Sequence, residues 1–417
     1  MAQFIVKGGR KLEGKVTISG SKNAALPIMC AAMLTDEKVV LHNVPDIADI
    51  HSMQKILENF GAVIKFENHT LEIDSSNLKS HAAPDELIKK MRASILILGA
   101  LLPRFGELKM AFPGGCVLGK RSVDAHTRAF EKLGCQLIDD QRGLHLKCTK
   151  LTAAKIILSE LSVTATENAI MAAVLAEGET EIRLAASEPH VQDLCHFLNK
   201  MGAKIKGIGT NTVKIEGVKK LSGTTYKITG DYLEAGTFAI AAVATHGHLL
   251  IEGIDTDDLD SFLQKLEEIG GKFKVNKDSL EIFPSDELVA TKMLRTAVHP
   301  SFPTDLQAPF TVLLTQAKGV SKVFETLFEG RLNYLFELEK MGAHVEFLNP
   351  HQALIIGPKK LKNVPISSWD IRAGAAMVIA ALIAEGSTEI SNINYIDRGY
   401  ENFDEKLRNI GADIQRV

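Results

Sequence analysis

A chain of 417 residues exceeds what one hydrophobic core comfortably supports, so its length predicts two domains. With 45% apolar and 24% charged residues it has the composition of a globular protein of the aqueous phase. Its 48 basic and 51 acidic groups leave a formal charge of -3, which excludes general nucleic-acid affinity and assigns any anion binding to a local cluster.

The opening MAQFIVKGG lacks the basic region and apolar run of a signal peptide. The longest apolar stretches, Ala93 to Pro103 and Ala373 to Ala384, reach about half a membrane span. A cytoplasmic protein, with no membrane partner, is therefore expected. Five cysteines (Cys30, Cys116, Cys135, Cys148 and Cys195) form no CxxC pair or His/Cys cluster, so no metal is expected either.

In chain order, a helix ending in glycine recurs as LENFGAVI, FEKLGCQL, LNKMGAKI, LEEIGGKF, LEKMGAHV and LRNIGADI. The glycines Gly61, Gly134, Gly202, Gly270, Gly342 and Gly411 are spaced by 73, 68, 68, 72 and 69 residues. Each is placed to stop its helix in the left-handed conformation that glycine reaches cheaply. A β-type run comes after each one. Upstream of each lies an Ala-rich helix: NAALPIMCAAML, RASILILGALL, ENAIMAAVLAEG, EAGTFAIAAVATHG, QAPFTVLLTQAKG and AGAAMVIAALIAEG. These segments are apolar nearly all round, which predicts burial. The repeating unit reads βαβαββ at about 70 residues, longer than the solenoid repeats of roughly 20–50 residues.

Five units close on a strand with a trailing Leu, as in VKIEGVKKL, whereas the sixth stops at DIQRV. The opening FIVKGGRKL supplies the missing strand, which predicts a discontinuous domain. The expected division is 1–21 plus 230–417 for one domain and 22–229 for the other, three repeats in each. A cleft between two such domains is the default place for a ligand.

Basic residues stand at the heads of the buried helices: Lys22, Arg92 and Arg372. A helix N-terminus favours phosphate and carboxylate, although a lone surface charge there is usually inert. The loop PGGCVLGKRSVDAH sets Cys116 among glycines beside Lys120 and Arg121, and nearby cations lower a thiol pKa towards the reactive range. Asp124 and His126 in that segment read as the start of the helix ending at Leu133, with Asp124 as its cap. In HPSFPTDLQAPF, Asp305 heads a buried helix, either as a cap or as a general base. In DRGYENF, Arg398 is either on a surface turn or over a substrate anion.

Together the segments SGSKNAALPIM, MRAS, PGGCVLGKRSVD, FPTDLQ and DRGYE resemble the family of enolpyruvyl transferases that act on UDP-N-acetylglucosamine, and the resemblance runs from FIVKGG to GADIQRV. It implies an α/β protein: a two-domain inside-out α/β barrel of six βαβαββ repeats, three per domain, with the ligand cleft between the domains. It implies transfer of enolpyruvyl from phosphoenolpyruvate to the 3-hydroxyl of UDP-N-acetylglucosamine, with release of phosphate. That reaction is the first committed step of peptidoglycan synthesis, and so serves cell shape and cell division. By the same resemblance the enzyme needs no cofactor or metal, acts as a monomer and is a target of fosfomycin. Another acceptor, shikimate 3-phosphate or a different nucleotide, is the alternative in that fold; against shikimate 3-phosphate the loop cysteine of PGGC argues. A third reading is an inactive binding paralogue, against which the intact set of cleft charges speaks.

Carried onto this sequence, the resemblance makes Cys116, Asp305, Lys22 and Arg398 catalytic. Lys22, Arg121 and Arg398 would hold phosphoenolpyruvate, Asn23 would touch the sugar, Cys116 would be the loop acid and Asp305 the base. The nucleotide sugar would be held by Arg92, the run Arg121, Ser122, Val123 and Asp124, the run Ser162, Val163 and Thr164, and Leu327. Arg331, Asp370 and Arg372 would line the cleft. The sequence departs from the usual family pattern at Glu160, Gly330 and Tyr232.

Overall fold

Six helices have no polar face, and they form the centres of two separate cores. The computed structural model describes residues 2–79, 85–114, 122–138 and 143–417. Residues up to Ser19 together with Gly230–Val417 form one compact unit, and the described residues from Gly20 to Thr229 form the other. The division falls after Ser19, not after Ser21. Ser21 belongs to the Gly20–Thr229 unit, because its N–H donates to the Thr229 carbonyl at 2.8 Å and its hydroxyl caps the helix that starts at Lys22.

In the unit that starts at Gly20, the buried helices are Lys22–Ala31, Ile97–Phe105 and Val163–Ala173. Their Ala and Gly positions let backbones approach closely, and Ile97–Phe105 packs against both of the others. Three sheets surround them, and their polar–apolar alternation, as in Thr212–Glu216, turns one face inward. Thr225–Lys227, near the end of this segment, pairs in parallel with Val39–His42 near its start, so the unit closes on itself.

The second unit has the same plan around Tyr232–Ala244, Thr304–Gln316 and Ile371–Ile383, which pack on one another. The N-terminal strand Phe4–Lys7 lies antiparallel to both Ser387–Ser391 and Asp413–Arg416. Glu13–Thr17 runs parallel to His248–Glu252. The first residues thus complete the last repeat, and the strand after them joins the fourth.

The six helix-ending glycines have φ of +103°, +93°, +103°, +92°, +93° and +103° from Gly61 to Gly411. Any L side chain there is strained, which explains why the same residue ends every copy. Five sheets have four strands and the sixth, built on Glu107–Ala111, has three among the described residues. Among those residues no helix is long and apolar enough to cross a membrane.

Candidate active site

The sequence-predicted residues fall into two groups, one in each unit. In the Gly20–Thr229 unit, Ser21 is extended and its Oγ accepts the Ala24 N–H at 3.4 Å, so the helix begins at Lys22. The Lys22 Nζ lies 3.6 Å from Asp49 Oδ2, with only 12% and 7% of the two side chains exposed. Asn23 occupies the next helical position and is half-buried. A cation at a helix N-terminus beside a nearly buried carboxylate is held in place.

Arg92 opens a short 3-10 segment, Arg92–Leu96, and its NH2 donates to the Ser122 carbonyl at 2.7 Å. The Ser122 Oγ accepts the Asp124 N–H at 2.9 Å. Asp124 is the first helical residue of Asp124–Lys132, and the cap position is Val123, which makes no side-chain cap bond. The expectation that Asp124 caps this helix is therefore corrected: it lies one residue too far in, where its carboxylate faces the dipole instead. Ser162 does cap Val163–Ala173, its Oγ accepting the Ala165 N–H at 3.4 Å. Glu160 is exposed, and its carbonyl accepts the Ser162 N–H at 2.8 Å.

Thr164 belongs to a buried chain of polar groups that no spacing in the sequence signals. The Asn168 Oδ1 accepts the Gly99 N–H at 2.8 Å, which orients the amide and leaves its Nδ2 as a donor. That Nδ2 donates to the Ile95 carbonyl at 3.0 Å and to His126 Nδ1 at 2.8 Å. With Nδ1 accepting, the ring proton sits on Nε2, which donates to Thr164 Oγ1 at 3.2 Å. Burial, and then the charge of Arg92, depress the His126 pKa to about 3. The imidazole is neutral and in one tautomer wherever a cell would hold it.

In the other unit, Asp305 is the second residue of Thr304–Gln316, and Pro303 occupies the cap without a side-chain bond. Asp305 Oδ1 accepts from Arg331 NH2 at 2.6 Å and Oδ2 from Arg372 Nε at 3.1 Å. Both arginine side chains are 3% exposed, whereas Asp305 keeps 27%. The arrangement presents one carboxylate to solvent from a base of two buried cations.

Burial would lower the Arg372 pKa, but the Tyr400 phenol, Asp305 and Asp231 outweigh it and hold the group well above its ordinary value. At Arg331 burial is outweighed by Asp305, Asp370 and Glu325. Both guanidinium groups stay charged. Asp370 caps Ile371–Ile383 by accepting the Arg372 and Ala373 N–H groups at 2.8 and 2.9 Å. The Arg372 guanidinium stands 5.0 Å from the Tyr400 ring centre.

Glu325, which the sequence did not single out, accepts the Thr304 hydroxyl at 2.8 Å and the Leu327 N–H at 2.9 Å. It ties Leu327 to the head of the helix that carries Asp305. Arg398 ends the turn Ile393–Arg398 and is half-buried. A Cβ on the adjoining Gly399 would meet Ile371 Cγ2 at 2.6 Å, so glycine there lets the Arg398 turn close against the helix of Arg372. Tyr232, buried, is the first residue of its helix, and Gly330 sits in the turn Glu329–Tyr334. Cys116, Lys120 and Arg121 lie outside the described residues.

A cavity of about 890 Å³ in the Gly20–Thr229 unit is lined by Leu102, Arg104, Glu107, Lys147, Cys148 and Lys150, among others, and by none of the residues of the two groups. It belongs to neither.

The family model described as EPSP synthase (3-phosphoshikimate 1-carboxyvinyltransferase) matches residues 6–407. The chain is 45% identical to the UDP-N-acetylglucosamine 1-carboxyvinyltransferase of Methylacidiphilum infernorum, over 100% of this chain and 99% of the relative. It is 44% identical to the protein of that name from Halothermothrix orenii, over the full length of both. This chain belongs to the UDP-N-acetylglucosamine 1-carboxyvinyltransferase family. The crystal structure of the enolpyruvyl transferase NikO from Streptomyces tendae superposes with a TM-score of 0.90 at 24% identity, over 100% of this chain and 99% of that one. The fold is that of the enolpyruvyl transferases, the inside-out α/β barrel whose helices are central and whose sheets lie outside. Family membership spans every repeat, so both groups of residues belong to the portion shared with the relatives.

Proposed function

We propose that this protein transfers the enolpyruvyl group of phosphoenolpyruvate to the 3-hydroxyl of UDP-N-acetylglucosamine, releasing phosphate, in the first committed step of peptidoglycan synthesis. The observation that carries this reading is 45% identity over the whole chain to a relative bearing that enzyme's name. A cytoplasmic monomer that supports cell shape and division is the setting that goes with it.

The chemistry assigns roles to the residues of both groups. Asp305, fixed between Arg331 and Arg372, takes the proton of the sugar hydroxyl as that oxygen attacks C2 of phosphoenolpyruvate. Cys116 delivers a proton to C3, and the two additions give a tetrahedral ketal. Removal of a C3 proton with departure of phosphate then restores the double bond. Lys22, Arg121 and Arg398 neutralise the phosphate and carboxylate, which contributes most when water is excluded. Asn23, Arg92, Ser122, Val123, Asp124, Ser162, Val163, Thr164 and Leu327 hold the nucleotide sugar. Asp370 fixes the start of the Arg372 helix. The domains that carry these roles are 1–19 with 230–417, and 20–229.

The test is phosphate release from phosphoenolpyruvate with UDP-N-acetylglucosamine, with shikimate 3-phosphate, or with neither. Release only with the UDP-sugar is expected. Release only with shikimate 3-phosphate, or none in any arm, would overturn the reading.

A further inference from the structure

The hairpin of Gln136–Ile138 and Gly143–Lys147 pairs Gln136 with Lys147, Leu137 with Leu146 and Ile138 with His145. One step further out, the same antiparallel register sets Cys135 opposite Cys148. The Cys148 N–H donates away from the hairpin, to the Gly106 carbonyl at 2.6 Å, and the Cys135 N–H donates to Phe130 at 2.9 Å. This is therefore a non-hydrogen-bonded position, where facing Cα atoms lie about 4.5 Å apart and side chains are closest. Disulfides span Cα separations of roughly 4.4–6.8 Å. Both cysteines face the core, at 5% and 6% exposure. Burial, and then a hydrogen bond with the Cys148 thiol, push the Cys135 thiol above its ordinary range. Cys148 also lines the open cavity of about 890 Å³, which gives a small molecule a path to the pair. The other two described cysteines, Cys30 and Cys195, are buried within helices and share no such register.

We propose that Cys135 and Cys148 form a modification site, a cross-strand dithiol that hydrogen peroxide converts to a disulfide and a small dithiol reduces again. One sulfur attacks a peroxide oxygen; the O–O bond breaks, water leaves and that sulfur becomes a sulfenic acid. The second sulfur then displaces the sulfenic hydroxyl as a second water, forming the S–S bond. The two thiol protons and two electrons end on the peroxide oxygens. Because the reacting form is the thiolate, a buried thiol makes the first step slow, and the site answers sustained oxidant, not a brief pulse. The strand Gly143–Lys147 also pairs with Glu107–Ala111, with Gly143 opposite Ala111, and Ala111 leads directly into the PGGC segment. Oxidation fastens the hairpin of the sheet from which that segment departs.

The experiment incubates the whole protein with hydrogen peroxide, blocks remaining thiols with N-ethylmaleimide and digests without reductant. A linked peptide pair carrying Cys135 and Cys148, lighter by two hydrogens than its parts and abolished by dithiothreitol, is expected, with Cys30 and Cys195 still as thiols. Cys135→Ser and Cys148→Ser should each lose the linked pair. Over-oxidised but unlinked Cys135 or Cys148, or a link from either to Cys116, would overturn the proposal. Should either variant fail to fold, wild-type protein with phenylarsine oxide reads the same geometry. One arsenic bridging Cys135 and Cys148, and protecting both from the maleimide, is expected; alkylation of both at the unprotected rate would overturn it.

Discussion

Asp305 accepts a hydrogen bond from Arg331 NH2 at 2.6 Å while its second oxygen accepts one from Arg372 Nε at 3.1 Å, so its carboxylate is fixed in orientation before any substrate arrives. In its proposed role as base, Asp305 contributes chiefly in the transition state. Asp305→Ala should lower kcat about 10²–10⁴-fold with a much smaller change in either KM. Phosphate-release kinetics across both substrate concentrations check this. Turnover near wild type would reduce Asp305 to a counter-ion for two arginines.

The same pair makes a second expectation for Arg331. A lysine cannot reproduce the guanidinium geometry, and the Arg331 side chain is 3% exposed with no room for a hydrated ammonium. Arg331→Lys should therefore lose turnover through misplacement of Asp305, with kcat falling by about tenfold or more and the UDP-sugar still binding. Equilibrium binding of the UDP-sugar, measured beside kcat, separates the two effects.

His126 should govern part of the acid stability. Its pKa is held at about 3 in the folded chain, against 6.5 for the free side chain, by burial and by Arg92. The unfolded chain therefore binds the proton first. Stability falls as pH drops from 6.5 towards 3, by at most about 1.4 kcal/mol per pH unit from this group. Urea midpoints measured down this range should fall less steeply in His126→Gln. An unchanged slope would mean that His126 is protonated without penalty.

Glu167 should act in the opposite direction. It is fully buried in Val163–Ala173; burial, and then Glu188, raise its pKa well above 4.5. Here the folded chain keeps the proton that the unfolded chain loses. Stability from this group is complete below pH 4.5 and declines as pH rises through the folded pKa. Glu167→Gln should remove that decline and raise the urea midpoint at pH 8 more than at pH 4. Equal shifts at both pH values would show that the carboxyl group is not carrying the effect.

Local grammar was legible in the sequence where the physics is local. The stop glycines are recognisable because only a left-handed C-terminus needs them, and the central helices because they lack any polar face. The strand Phe4–Lys7 could be assigned to the last repeat because one copy was short of it. What remained hidden were pairings made across the fold: Lys22 with Asp49, His126 with Asn168 and Thr164, Glu325 with Thr304 and Leu327. No spacing encodes these, since all but the local contact of Glu325 with Leu327 join different elements. The cap assigned to Asp124 failed for a narrower reason. Helix starts are uncertain by one or two residues, and the cap position here is Val123, one residue earlier.

The thiol of the PGGC segment should be distinguishable from all the others by a single reagent. Cys30, Cys135, Cys148 and Cys195 are each buried, and burial pushes the Cys30, Cys135 and Cys195 thiols far above the range in which they ionise. A phosphonate epoxide such as fosfomycin needs both a thiolate and cations to receive its phosphonate. Lys120 and Arg121 adjoin Cys116 in the chain, whereas Cys30, Cys135, Cys148 and Cys195 are buried. Peptide mapping after fosfomycin treatment should thus find the adduct on Cys116, and phosphoenolpyruvate should slow labelling by competing for the same cations. Cys116→Ser should lose most turnover. Cys116→Asp, which keeps an acid at the position but not the nucleophile, should turn over while escaping the label. Label found mainly on any of the other four would remove Cys116 from the proposed mechanism, and with it the proton delivered to C3.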